Sequence, residues 1–281
     1  MTSPRFSIVV PTRGRPEYLA EALRSVQRQT LSDFECLVVS DGDARPPELP
    51  SDPRFRLLHR SEAGGPAAAR NTGLAAATGE AVLFLDDDDL YSPDRLELAA
   101  RGLTRAPVAI CWASYISSAG PLHGRQLSGI VHDRIADSVT PHIGSTTVLR
   151  EVLVPFDDSL LSCEDLEWWI RQSRFPVETV DGVGVYIRRH HGPRFSTGQQ
   201  QRIADSIRLV QTNTYFLRHH RAAAFRWKRI GLMYMDLDQP RQAATAFFRS
   251  FIRMPRPRTA YHLLRASLHC TLNHLSTNSH R

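Results

Sequence analysis

Short, mostly apolar runs alternate with longer stretches of helical periodicity through the first part of the chain. Phe6-Ser7-Ile8-Val9-Val10 reads as a buried strand that ends at Pro11-Thr12-Arg13-Gly14-Arg15. A helix follows. Pro16 and Glu17 suit its first turn, and Leu19, Ala22, Leu23 and Val26 fall on one face. Phe34 to Val39 predicts a second strand, closed by a turn at Ser40-Asp41-Gly42-Asp43, and Arg54 to His59 a third. Gly64-Gly65-Pro66 opens an Ala-rich helix from Ala67 to Ala77, which Gly79 closes. Ala81 to Leu85 is a fourth strand, fully apolar, and Ser92-Pro93-Asp94 starts another helix. Strands alternating with helices predict an α/β fold: a Rossmann-like, mainly parallel sheet flanked by helices.

After Pro107 the alternation loosens. Val108 to Ile116 predicts a strand, and residues 117–142, rich in Gly, Ser and His, a long loop or strand-loop region; loops of that length usually carry function. Cys163 to Arg174 reads as a helix and Val183 to Ile187 as a strand. Beyond Gln199 the periodicity is helical throughout. Ile230, Met233, Tyr234 and Leu237 form one stripe; Ala243, Ala244, Phe247, Phe248 and Phe251 form a second, with a break at Asp238-Gln239-Pro240. One such pair resembles a single tetratricopeptide-like hairpin, too few for a solenoid. The segment therefore predicts a helical appendage packed on the main domain.

The 281 residues are 42% hydrophobic, enough for one large domain with an extension. Net charge is +6, but unevenly spread. Residues 1–187 hold 18 Arg against 26 Asp and Glu, whereas 188–281 hold 16 Arg, one Lys and three Asp. A basic carboxyl-terminal third predicts an anionic partner, such as a diphosphate or an anionic membrane surface. Nucleic acid is not expected, because no interleaved aromatic platform accompanies the charge. Cys36, Cys111, Cys163 and Cys270 are scattered, which predicts buried, reduced thiols in an intracellular protein. The start, Met1-Thr2-Ser3-Pro4-Arg5, leads straight into a strand, and no apolar run reaches the ~20 residues of a membrane span. A cytoplasmic location is expected, with peripheral contact at the inner membrane face.

The candidate chemistry begins at Asp86-Asp87-Asp88-Asp89, directly after the fourth strand. Carboxylates packed this closely stay ionised together only beside a cation or donors. Hard oxygen ligands suit Mg²⁺ or Mn²⁺, ions commonly shared with a phosphate. In open α/β sheets the carboxyl end of a strand is also where ligands bind.

Four separated segments then resemble the family 2 glycosyltransferases with the GT-A fold. They are Ser7 to Pro16; Leu37-Val38-Val39-Ser40-Asp41-Gly42; Ala69-Arg70-Asn71-Thr72-Gly73-Leu74 with Ala77-Thr78-Gly79-Glu80; and Phe84 to Asp89. A fifth, Glu164-Asp165-Leu166-Glu167-Trp168-Trp169-Ile170-Arg171, looks like the family's ED-and-Arg helix. The resemblance spans residues 6 to about 190. It implies transfer of a sugar, with inversion, from a nucleoside-diphosphate sugar (UDP by family habit) to an acceptor hydroxyl of a glycan, lipid-linked glycan or small natural product. It also implies a catalytic domain over 1–198, with a nucleotide-sugar half at 1–106 and an acceptor half at 107–198, followed by the basic helical extension 199–281.

Site roles follow from the same resemblance. Asp88 is the implied metal ligand, with Asp86 and Asp87 at the ribose and the ion's water shell. Asp89 reads as dispensable, a partner for the next helix. Asp41 would accept from the base, with Pro11, Thr12 and Arg13 around it. Arg70, alone in an apolar helix, needs a diphosphate or an aspartate as partner. Asp165 is the implied general base, with Glu164 left to acceptor binding or to orienting it. Trp168 is placed at the acceptor, although a core role suits at least one of the two tryptophans. His190, in Arg188-Arg189-His190-His191, is a second candidate metal ligand, and the arginines there could clamp phosphate. His142 is a candidate for the acceptor side. Two other readings compete. A nucleotidyltransferase would carry a Gly-rich loop where Pro11-Thr12-Arg13-Gly14-Arg15 has one Gly. A degenerate GT-A scaffold would have no need for Asp41, Asp86 to Asp88 and Glu164-Asp165 together.

Overall fold

A computed structural model of the chain describes residues 3–43, 47–117, 120–121, 140–188 and 198–278. Two compact units divide near residue 197. The first carries strands β1 (Phe6–Thr12), β2 (Phe34–Asp41), β3 (Phe55–Arg60), β4 (Ala81–Phe84), β5 (Leu90–Tyr91), β6 (Val108–Ser117), β7 (Gly120–Pro121), β8 (Thr146–Leu149) and β9 (Val177–Arg188). Its helices are α1 (Pro16–Gln27), α2 (Gly65–Ala76), α3 (Arg95–Leu103) and α4 (Glu164–Gln172). The second unit holds α5 (Gln199–Thr212), α6 (Thr214–Arg218), α7 (His220–Asp236), α8 (Pro240–Arg253) and α9 (Pro257–Asn278).

The strands form one sheet in the order β3-β2-β1-β4-β8-β6-β9-β5, with β7 on β6. The first four are all parallel, and β6 and β9 also pair in parallel over a long register. β8 is the departure: it runs antiparallel between β4 and β6, with Val148 opposite both Val82 and Val108. Its four residues are too few to show a period, and the alternation that predicts a parallel sheet does not reveal it. β9 begins at Val177, six residues before the apolar run that predicts it, because its first half is half-buried and mixed in polarity.

β1, β2 and β4 are buried on both faces, as strands covered on each side must be, whereas the edge strand β3 exposes Arg56 and His59. On one face α1 buries Leu19, Ala22, Leu23 and Val26, as its spacing predicts. On the other, Val9, Leu37, Val82 and Phe84 pack with α2 and α4 through Ala67, Ala69, Trp168 and Trp169. α2 lies close on β1 because Gly73 leaves the space: a Cβ there would come within 2.4 Å of a Val9 methyl. The parallel strands therefore end side by side, bringing Thr12, Asp41 and the residues after Phe84 to one edge.

In the second unit α7 and α8 form the hairpin that Asp238-Gln239-Pro240 predicts, with Asp238 at φ 53° in the turn. Ala243 and Phe247 are buried with Ala266 of α9. Phe248 corrects the predicted stripe: it is 54% exposed. Cys36 and Cys111 are buried; Cys163 and Cys270 are only partly so.

Candidate active site

The acidic turn after β4 divides its four carboxylates between two sides. Asp87 and Asp88 face Arg15. One guanidinium spans both, with Nη2 2.7 Å from Asp87 and Nη1 2.5 Å from Asp88. Thr12 donates its hydroxyl to Asp87 at 2.7 Å. Gly14 makes this possible: at φ +65° it turns the chain from β1 back over the sheet edge, at a conformation that disfavours side chains. Burial pushes the Asp87 carboxyl up to about 7 against the pull of Arg15 and Thr12.

Asp86 and Asp89 face His142. The His142 Nε2 lies 3.4 Å from Asp89 and 3.8 Å from Asp86, and ligand atoms of the three lie within 4.8 Å of one another. Asp89 is buried, takes the Arg188 backbone N–H at 3.0 Å, and is pushed well above the usual carboxylate range by burial and the charges of Asp86 and Asp88. This corrects the expectation that Asp89 serves the next helix; it belongs to the cluster. Asp86 is half-buried; desolvation works against its charge, yet Arg70, with His142 and Arg15, holds its carboxyl below its ordinary value. His142 is held by its own turn at 143–145, where its Nδ1 accepts the Gly144 N–H at 3.3 Å. A neutral ring with Nδ1 accepting carries its proton on Nε2, facing the carboxylates.

Buried Arg95 fixes that turn. It donates to the Gly144 and Thr146 carbonyls and to the Thr147 hydroxyl.

Arg70 joins this edge to α4. Its two terminal nitrogens reach Asp86 at 2.7 Å and Glu164 at 3.1 Å, and its guanidinium lies 5.4 Å from the Phe156 ring centre. The expectation of an aspartate partner is met, with a glutamate added. Burial, with the Asp165 charge beside it, pushes Glu164 up to about 7 against the pull of Arg70. Asp165 is half-buried, and its charge acts on His142. Cys163, which precedes both acids, sits at φ 62°, a left-handed conformation that a non-glycine residue holds only under constraint. It sets the angle at which α4 enters the site.

Several residues with expected roles are engaged elsewhere. Asp41 is fully buried; its carboxylate accepts from Arg60 Nε at 2.8 Å and from the Gly64 and Gly65 N–H groups. It thus anchors the entry to α2. Pro11 is buried on β1, and Thr12 is committed to Asp87. Arg13 is exposed, so the cation engaged from this loop is Arg15. Trp168 cannot meet an acceptor: it is wholly buried, stacked on Phe156 at 5.2 Å, with its Nε1 donating to the Val154 carbonyl. Arg188 does not clamp an external phosphate here; its side chain is bonded to Glu21 and to the Asp88 carbonyl. His190 lies outside the described residues. Arg171 pairs with Glu167 one turn earlier, as the spacing predicts.

Comparison with known proteins gives the family and the fold. Residues 7–146 match the profile described as glycosyl transferase family 2. The chain is 32% identical over 255 residues to an "Uncharacterized glycosyltransferase" of Rickettsia felis, covering 84% of this chain and 41% of that protein. It is 28% identical over 173 residues to the Escherichia coli "UDP-Glc:alpha-D-GlcNAc-diphosphoundecaprenol beta-1,3-glucosyltransferase WfgD", covering 58% of this chain and 68% of that protein. The chain thus spans about two fifths of the length of the Rickettsia relatives. Among solved structures, Staphylococcus aureus TarS 1-349 in complex with UDP-GlcNAc superposes with a TM-score of 0.62 at 18% identity, covering 94% of this chain and 88% of that one. The fold is GT-A.

Proposed function

The chain belongs to glycosyl transferase family 2, and we propose that it is an inverting glycosyltransferase moving a sugar from a nucleoside-diphosphate sugar to an acceptor hydroxyl. The observation that carries this reading is the Arg70 bridge between Asp86 and Glu164. It ties the acidic turn, where a leaving diphosphate would be bound, to the start of α4, where the candidate base lies. UDP is the proposed nucleotide. TarS structures hold UDP-GlcNAc and UDP, and the E. coli relative is named for a UDP-glucose donor.

Asp165 takes the proton of the acceptor hydroxyl as its oxygen attacks the anomeric carbon and the bond to the diphosphate breaks. A single displacement of this kind inverts the centre. Glu164, held by Arg70, orients the base. Asp41 supports the base pocket through Gly64 and Gly65 rather than by direct contact.

The donor set fits Mg²⁺ or Mn²⁺, being carboxylates on one short turn. When bound, the ion offsets charge developing on the leaving diphosphate. Asp88 is the proposed ligand, partly exposed and paired with Arg15. A second reading places the ion among Asp86, Asp89 and His142, favoured by their spacing. Against it, His142 faces the pair with a protonated Nε2 while Nδ1 accepts from Gly144. Mn²⁺ titration separates them: Asp88→Ala abolishes binding on the first reading and spares it on the second, where His142→Ala abolishes it.

The acceptor is proposed to be a lipid-linked glycan met at a cytoplasmic membrane surface. The E. coli relative is named for a diphosphoundecaprenol-linked substrate. In the second unit Phe248, Ile252, Tyr261, Leu264 and Leu268 are exposed among arginines. Such a face suits an anionic bilayer. No helix among the described residues is long and apolar enough to cross one.

The base assignment is tested with Asp165→Asn. Transfer should fall by roughly 100-fold to 10,000-fold while donor affinity is kept, since the base acts only in the transition state. Loss of donor affinity instead would move Asp165 into the donor pocket.

A further inference from the structure

Arg15 sits where a divalent ion would be expected to act. Its fork bridges Asp87 and Asp88, the side chain is 11% exposed, and both contacts are at hydrogen-bond distance. Three features build this placement rather than leave it to a mobile surface chain. Gly14 directs the loop inward at a positive φ. Pro16 starts α1 immediately after Arg15, which is the helix's N-cap. Thr12 holds Asp87 from the other side, so the carboxylate is presented to the fork in one orientation. A planar guanidinium fixed by two carboxylates satisfies much of the negative charge that a cation would otherwise offset.

We propose that Arg15 is a resident counter-ion of the acidic turn, which a divalent cation must displace from Asp88, and which then becomes free to pair with the donor's diphosphate. Arg15 is thus a positioning residue that couples the two ligands. It weakens ion binding to the empty site and strengthens nucleotide binding once the ion is in place. The inference rests on the reading of Asp88 as the ion's ligand.

The two halves of the proposal have opposite signs, which a merely structural role would not produce. Mn²⁺ is titrated by electron paramagnetic resonance into the metal-depleted protein, its fold checked by circular dichroism. UDP affinity is then measured at saturating Mn²⁺. Arg15→Gln should bind Mn²⁺ at least about tenfold tighter than the parent and bind UDP about tenfold more weakly. Arg28→Gln, at an exposed position past the far end of α1, should change neither. The Mn²⁺ gain should vanish in Arg15→Gln combined with Asp88→Asn. Should Arg15→Gln fail to fold, Arg15→Lys replaces it; it keeps the charge but cannot span both carboxylates, and changes of the same signs and smaller size are expected.

Unchanged Mn²⁺ affinity in Arg15→Gln would overturn the counter-ion role alone. So would a gain that survives loss of Asp88, which would mark a general charge effect. Mn²⁺ binding to none of the proteins would overturn both this role and the ion reading beneath it.

Discussion

Arginine serves opposite purposes in the two units. In the first, Arg15, Arg60, Arg70 and Arg188 are each turned onto carboxylates and take part in fixing the site. In the second, seven arginines follow Pro240 without one Asp or Glu, and Arg253, Arg256, Arg258 and Arg265 are exposed. A guanidinium matched within its own unit orders a site and adds little field outside it. One left facing water keeps its charge available to an external anion. The net charge of the chain therefore says less than where each cation finds its partner.

The outward set offers the largest expected effect. Changing Arg253, Arg256, Arg258 and Arg265 together to Gln should lower partition onto phosphatidylserine vesicles roughly a thousandfold at low salt, at about 1 kcal/mol per cation near the surface. Transfer to a soluble acceptor should be unaffected. Undiminished co-sedimentation would end the membrane reading.

Packing gives the next contrast. Trp168→Ala in the first unit should cost about 3–5 kcal/mol in denaturant unfolding, because the residue is wholly buried against Phe84, Phe156 and Trp169. Phe248→Ser in the second, more than half exposed, should stay within about 0.5 kcal/mol. Near-equal costs would mean that Phe248 is covered in solution.

A smaller effect tests the matched cations. Glu164 is raised from its ordinary 4.5 to about 7. Such a group contributes stability fully below pH 4.5 and loses that contribution as pH rises through 7. Thermal melts should therefore show the parent losing stability over this window relative to Glu164→Gln. Transfer should run the other way, rising toward pH 7 as Glu164 ionises and grips Arg70. A parent and variant with parallel melting profiles would remove Glu164 from the titrating set.

Much of this was legible in the chain, and the exceptions share a cause. The parallel core was readable because its strands are apolar on both faces and its helices amphipathic; Leu19, Ala22, Leu23 and Val26 are buried as their spacing requires. β8 was hidden because four residues show no period and its partners lie far off in sequence. The edge of the sheet was legible as a site from the acidic run and the strand end before it. The pairing within it was not. Nothing local distinguishes Arg15, which bridges two carboxylates, from Arg13, which is exposed; Gly14 between them is the only cue, and it signals a turn without saying which neighbour turns inward. Likewise Asp41 reads as a free acceptor until Arg60, Gly64 and Gly65 are seen to fill it.

The acidic edge of the first unit is the proposed donor site for a nucleoside-diphosphate sugar. The direct measurement is calorimetry of UDP, GDP and dTDP against the parent and Asp88→Ala, with and without Mn²⁺. UDP should bind the parent only when Mn²⁺ is present, and Asp88→Ala should lose that binding. Absence of binding by all three nucleotides to the parent would contradict a donor site there and favour a scaffold that keeps the fold without the chemistry.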